Sequence, residues 1–533
     1  MRWGVRLGIP AVLGGVWLVV VLARLPLPYP SDQLNYFNAA SAFPYGFPRP
    51  GAIHQVTRFG LVLPVRLAID VFGYSEAAYH VVPLLATLTV LAATYALGTT
   101  LFTPVVGAAS AVVVVTAMPM FTDAAALLPD APAAGLFTIA AVLALRVRRG
   151  RRWPLLLIGV LLAWSYAIRE FIVFAWPLIP VLLVRRGVPM RRLAWVAAPV
   201  VAYLGVEMLL CQALYGDPLA RVHAILHQRL SPYPAYWGMP RAAYLVQLPV
   251  TLLHEPGGAW LTALLGALLL GALVWRRRLA VPLAWCALIW VPLTLSGGLI
   301  EPDDPALRLN LIRYWFPLFP PLAAGGIGVL WLAAAWCTAR RARLAVAPAV
   351  VLAVAGFAAG TSVAAAGRDP VIGTDNGRAQ MAAFRGWMTH HAGPGTLWTD
   401  SRTTGVAEVY RRASFGGRRW SNPVRPVTAH GPRPGPGDLV LFFDAAHGTV
   451  CGVCRSAEDG LWGDPPRPLP SWHPVFATRD DVVRVYRVGP SGSGLGQPGY
   501  RAGLWTQTVT RGRIPMARNA RTTRLSDARA VAS

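Results

Sequence analysis

The sequence predicts a polytopic α-helical membrane protein with about 11 transmembrane helices and a small C-terminal extracytoplasmic α/β domain. Three observations carry this. Hydrophobic residues make up 55% of 533 and charged residues only 14%, with a mean hydropathy of +0.47, whereas soluble domains are about 25% charged. The apolar residues gather into continuous runs. The basic residues gather into clusters between those runs.

The runs are Leu7–Leu25, Tyr79–Leu101, Val196–Leu214, Leu261–Trp275 with its flanks, and Leu344–Val363. Each approaches the roughly 20 residues that span a ~30 Å hydrocarbon core as helix. A helix satisfies its own backbone hydrogen bonds in lipid. The runs do not alternate polar with apolar, which argues against a β-barrel. Leu7–Leu25 lacks a small-residue cleavage site before Pro26 and Pro28, so it is read as a retained span and not a signal peptide.

The chain contains no lysine, so all 49 basic residues are arginine. Arg2 and Arg6 open the chain, and dense clusters follow at 146–152, 185–192, 276–278 and 340–343, none containing an acid. The positive-inside rule places these clusters in the cytoplasm, where anionic headgroups attract them. The protein is therefore expected in the plasma membrane, N-terminus inside and C-terminal domain outside. Asp32, Asp70, Glu76, Asp123, Asp130, Glu170, Asp217, Glu255, Glu301, Asp303 and Asp304 then fall at the outer mouths, with Glu207 inside a span near its outer end. Any chemistry is expected to face outward. The net charge of +25 is accounted for largely by lipid contact. With no zinc-finger spacing or RNA-binding aromatic motif, nucleic acid is not an expected partner.

Three regions follow: a membrane domain over 1–366, an extracytoplasmic α/β domain over 367–490, and a tail over 491–533 without periodicity, expected to be disordered. In the outer domain Thr396–Thr399, Asp438–Phe443 and Val482–Val488 read as strands and Thr403–Arg412 as a helix. Within the membrane domain the first outer stretch, from about Pro26 to Tyr74, is long. It ends in an amphipathic segment, Ile53 to Phe72, of the kind that lies along a membrane surface. Gly325-Gly-Ile-Gly328 lies within a span, where small residues allow close helix packing.

Six motifs occur in order at the outer mouths: Ser31-Asp32-Gln33-Leu34-Asn35-Tyr36, Phe72-Gly-Tyr-Ser-Glu-Ala-Ala, Leu128-Pro-Asp130-Ala-Pro132, Tyr166-Ala-Ile-Arg169-Glu170, Tyr215-Gly-Asp217-Pro218, and Arg313-Tyr-Trp-Phe-Pro-Leu-Phe-Pro-Pro. Together they resemble the GT-C glycosyltransferase superfamily, in its protein-mannosyltransferase and aminoarabinose-transferase branch. One departure is Gln33, which stands where that branch has a second acid. The resemblance implies transfer of a sugar from a polyprenyl phosphate to a glycan, lipid or protein acceptor, by inverting displacement. It makes Asp32 the general base and Asp130 a second catalytic acid. Tyr36, Arg58, Arg169, Glu170 and Arg313 become substrate contacts, since arginine pairs phosphate oxygens bidentately.

Plainer roles stand beside these. Asp32 and Asp130 each suit a helix N-cap, and Arg169 with Glu170 suits an ion pair where two spans meet. His223 and His227, spaced i, i+4, are a weak metal site without a third ligand, and a divalent cation is left open. Cys451-Gly-Val-Cys454 has no second pair for zinc and no thioredoxin context, so a local disulfide is expected in the exported domain. Two other function classes compete: a transporter or flippase for lipid-linked precursors, and a non-catalytic envelope scaffold.

Overall fold

The computed structural model describes residues 3–490, apart from 24, 26–27, 29–31, 45–53, 148–151, 227–239, 255–257, 303–310, 339–342, 369–377, 391–392, 412–419, 444–451 and 464–465. Met1–Pro490 forms one compact unit. The first helices are α1 (Trp3–Leu22), α2 (Asp32–Ala42), α3 (Phe59–Phe72), α4 (Glu76–Leu101), α5 (Pro104–Thr116), α6 (Met118–Thr122), α7 (Asp130–Arg146) and α8 (Trp153–Ile168). Among the described residues five helical segments are long and apolar enough to cross a membrane: Glu76–Leu101, Met190–Tyr215, Gly258–Leu299, Ile312–Cys337 and Ala345–Ala364. Shorter apolar helices include Gly8–Leu22, Pro104–Thr116 and Trp153–Ile168. The longest helix, Gly258–Thr294, is broken at Trp275 (φ −116, ψ 33), immediately before the Arg276–Arg278 cluster.

Caps begin these helices where the sequence supplies them. The Ser75 hydroxyl accepts from the Ala78 N–H at the start of α4, and Thr103 accepts from Val106 at the start of α5. Such caps are worth about 1 kcal/mol each. The glycines at 325–328 permit the close packing expected of them. A Cβ on Gly325 would lie 2.8 Å from Leu268 Cδ1, one on Gly326 would lie 2.7 Å from Leu264 Cβ, and one on Gly328 would strike the Phe102 ring.

Helix α3 departs from a simple surface helix. Leu61, Val62, Val65 and Ala68 are buried, while Leu63, Leu67, Val71 and Phe72 are exposed. It is apolar on two faces, one packed on the protein and one open. Helix α2 is not a surface element either: Gln33, Leu34, Tyr36, Phe37, Ala39 and Ala40 are all buried.

The C-terminal region contains a five-stranded sheet of order β2-β1-β3-β5-β4, with β1 Leu397–Thr399, β2 Val424–Pro426, β3 Leu439–Phe443, β4 Trp472–Ala477 and β5 Val483–Val488. Strand β1 runs parallel to β2 and β3, and β5 is antiparallel to β3 and β4. The central β3 is buried at all five positions, because both faces are covered. Such a strand reads as a continuous apolar run. The Ser401–Arg411 helix connects β1 to β2. Prolines sit in both edge strands, Pro426 in β2 and Pro474 in β4, where a missing N–H costs least.

Candidate functional site

The site is built where four segments end at one level. Asp32 is the first residue of α2 and Asp130 the first of α7, so each carboxylate sits at the positive end of a helix dipole. Asp130 is not the cap itself: Pro129 holds that position and makes no side-chain cap bond. Arg169 ends α8 in extended geometry (φ −145, ψ 116), and Glu170 opens the 3-10 turn Glu170–Ala175. Arg313 lies in the 3-10 turn Ile312–Leu318. Proline at 317 and prolines at 320 and 321 delay regular helix there, since proline withholds the N–H that helix needs.

These residues join one chain of ion pairs. Arg313 Nη2 lies 3.3 Å from Asp32 Oδ2, and its Nε lies 4.0 Å from Asp130 Oδ2. Arg169 Nε pairs with Asp130 Oδ1 at 2.9 Å, and its Nη1 lies 3.7 Å from Glu170. Arg58 grips Glu170 with two nitrogens, at 2.8 and 3.3 Å, and donates its third to the Tyr36 hydroxyl. Aromatic faces complete the cradle. Arg169 lies 4.7 Å from the Tyr314 ring centroid and 4.8 Å from that of Phe171, close enough for cation–π attraction. All seven expected catalytic and substrate-contact residues, Tyr36 included, therefore share one network. Burial grades it: the Asp130 side chain is 1% exposed, Glu170 24% and Asp32 45%.

Two members were not anticipated as site residues. Arg221 donates to Glu207 at 2.6 Å and to Glu170 at 3.4 Å, and also to the Tyr166 carbonyl at 2.6 Å. Tyr203 donates to the same Glu207 at 3.0 Å. The signal is in the sequence: Glu207 is an acid within an apolar span, and Arg221 is an arginine outside the dense arginine clusters. With them the network links four arginines (58, 169, 221, 313) to four carboxylates (32, 130, 170, 207).

Other expected residues lie elsewhere. Asp123 caps the end of α6, separated from Asp130 by a non-helical stretch over 123–129, and its charge is felt by Arg313. Gln33 is buried, its side-chain oxygen accepting from the Tyr79 hydroxyl at 2.6 Å and the Leu127 N–H at 3.3 Å. His223 is exposed and hydrogen-bonded to Asp217 at 2.7 Å, and that bond holds the Asp217 carboxyl below its ordinary range. His227 lies outside the described residues, and among those described no group of three metal-ligating side chains occurs. The Cys451–Cys454 pair also lies outside them. Cys211, Cys286 and Cys337 are free thiols.

Beside the network, between α3, α4, α7 and α8, is an apolar cavity of ≈ 370 Å³. Its lining includes Gly60, Pro132 and Ile168, which are within two residues of Arg58, Asp130 and Arg169. Its other wall carries Leu67, Val71 and Leu85, all exposed on the outside of the helices. The cavity thus holds no charged side chain, is lined by close sequence neighbours of three network residues, and includes residues of an open apolar flank.

No protein-family model and no curated protein sequence matches the chain. Among solved structures it is similar to ArnT from Cupriavidus metallidurans bound to undecaprenyl phosphate, at 13% identity and a TM-score of 0.58, over 93% of this chain and 100% of that one. It is equally similar to apo ArnT from the same organism, at 13% identity and a TM-score of 0.58, over 92% and 99% of the two chains. The chain shares its fold with those structures along nearly its whole length.

Proposed function

We propose that this protein is a GT-C glycosyltransferase that moves a sugar from a polyprenyl phosphate to an acceptor at the outer face of the plasma membrane. The observation that carries this reading is the half-exposed Asp32 paired with Arg313 at the open end of a buried arginine–carboxylate network. It occurs in a fold shared with a protein bound to undecaprenyl phosphate. An outward site has no supply of nucleotide sugars, whereas a lipid carrier presents its sugar from the membrane. The apolar cavity beside Arg58 and Arg169 offers such a carrier's chain a place to lie.

The chemistry is one displacement. The acceptor hydroxyl oxygen bonds to the anomeric carbon as the bond from that carbon to the phosphate oxygen breaks. The hydroxyl proton passes to Asp32, and the electron pair leaves with the polyprenyl phosphate, so the anomeric configuration inverts. Arg313, 24% exposed and between Asp32 and Asp130, is the guanidinium most open to the phosphate. Arg58, Arg169 and Arg221 lie deeper and fix Glu170, a preorganised field that needs no rearrangement during reaction. A scaffold gains nothing from burying these charges.

Incubating the purified protein with a panel of radiolabelled polyprenyl-phosphate sugars and a cell-envelope acceptor fraction tests the reading. Label should move from lipid to acceptor with one donor of the panel. Movement of intact labelled lipid across a vesicle bilayer, without transfer to any acceptor, would establish the flippase instead.

A further inference from the structure

Helix α2, which begins with Asp32, is held from two directions. On the membrane side Gln33 accepts from Tyr79 and Leu127, and Phe37 packs 4.6 Å from the Tyr74 ring. On the other side it enters the outer domain. Leu34 is fully buried in one hydrophobic core with Phe384, Val406, Ala407, Tyr410 and Leu439. That core belongs to the sheet and its helices; α2 contributes this one side chain to it.

Three further contacts fix the grip. Gly405 of the Ser401–Arg411 helix rides directly on α2: a Cβ there would sit 3.1 Å from both Leu34 Cδ2 and Asn38 Nδ2. The Tyr74 hydroxyl donates to Asn38 Oδ1 at 2.9 Å, with the Gly405 carbonyl at 3.4 Å. The Tyr410 hydroxyl donates to the Pro28 carbonyl, just ahead of α2. Arg385 pairs with the buried Glu76 at 2.8 Å and lies 5.8 Å from the Tyr410 ring centroid, tying the same corner to the start of α4. The outer domain therefore touches the chain at positions 28, 34 and 38, on both sides of Asp32. Val409 of the Ser401–Arg411 helix packs with Tyr36, Phe37 and Val56, but among the described residues no hydrogen bond or ion pair of the domain reaches the arginines that hold Glu170.

We propose that the outer domain is a positioning element for the Asp32 carboxylate: Leu34, Gly405, Tyr410 and the Glu76–Arg385 pair set where Asp32 stands relative to Arg313. This rests on the reading of Asp32 as the general base. Proton transfer requires heavy atoms within hydrogen-bond reach, and a displacement of about 1 Å can cost 10²-fold in rate. Loosening the grip should lower turnover and spare donor binding.

The test uses the full-length protein in lipid nanodiscs, with undecaprenyl phosphate as the binding probe and the donor sugar that wild type accepts as substrate. Arg385→Glu should lower kcat about 10- to 100-fold, leave the donor KM within about twofold, and leave undecaprenyl phosphate stoichiometry unchanged. The reversed pair Glu76→Arg with Arg385→Glu should recover most of the loss. Gly405→Val strands no charge, so it serves if Arg385→Glu fails to fold, and it should show the same split. In an Asp32→Asn background Gly405→Val should cost nothing further, because the group it positions is gone. Wild-type kcat in folded Gly405→Val, or losses that multiply with Asp32→Asn, would overturn the inference. A wild type that transfers no sugar from any donor defeats the functional reading first and this one with it.

Discussion

Replacing Asp32 by Asn separates chemistry from architecture because the structure makes the two costs so different. The Asp32 side chain is 45% exposed and Arg313 lies 3.3 Å from it. An exposed pair of that kind contributes about 0–1 kcal/mol. Asn at a helix N-terminus is tolerated nearly as well as Asp. The variant should therefore fold, insert and melt within a few degrees of wild type. Its rate should fall about 10²–10⁴-fold, the usual contribution of general-base assistance, which is about 2.7–5.4 kcal/mol in barrier height at 1.36 kcal/mol per tenfold. The assay is label transfer from a polyprenyl-phosphate sugar under single-turnover conditions, run beside a thermal melt in the same detergent. A folded Asp32→Asn variant that transfers at near wild-type rate would leave Asp32 a helix-start residue and remove it from the mechanism.

Asp130 should behave in the opposite way: Asp130→Asn takes from Arg169, 7% exposed, its closer carboxylate at 2.9 Å and leaves it only Glu170 at 3.7 Å, and should destabilise the protein by up to about 3 kcal/mol, read as a lowered melting temperature. Leu136→Trp should fill part of the apolar cavity that Leu136 lines and raise the donor KM about tenfold, about 1.4 kcal/mol, with kcat little changed in a steady-state titration of donor. Cysteines introduced at Gly187 and Gly435 should label from opposite sides of sealed vesicles with a membrane-impermeant maleimide, since Gly187 lies inside an arginine cluster and Gly435 in the outer domain.

Much of this arrangement was legible because its signals are local. Asp438–Phe443 is one acid followed by a short apolar run, and that run forms the buried centre of the sheet as Leu439–Phe443. Asp32, Asp130, Arg169, Glu170 and Arg313 stand out because an ionisable group beside a long apolar run requires a reason. What the sequence could not convey is pairing at a distance. Nothing near Arg221 points to Glu207 or Glu170, and nothing near Leu34 says that it belongs to a core assembled some 350–450 positions later. The two faces of α3 are hard to tell apart for a related reason. Its apolar residues on one face meet protein and on the other meet an open flank, and hydropathy alone does not distinguish these surroundings. Gln33 looked like a damaged motif until its two donors, Tyr79 and Leu127, came from other segments.

The spacing of the ion pairs along the chain also dictates an order of biogenesis. Arg58 and its carboxylate are 112 residues apart, and Arg313 and Asp32 are 281 residues apart. Synthesis runs from the N-terminus, so Arg58 emerges long before Glu170 and must wait without its counter-ion. Helix α3 gains its full seat when the turn after α8 delivers Glu170, and Asp32 gains Arg313 only after most of the spans have been made. The network is thus closed late, by its most distant member. Loss of a buried carboxylate should strike nascent chains during insertion, and quality-control proteases would then register the defect as low abundance before any assay registered it as slow catalysis.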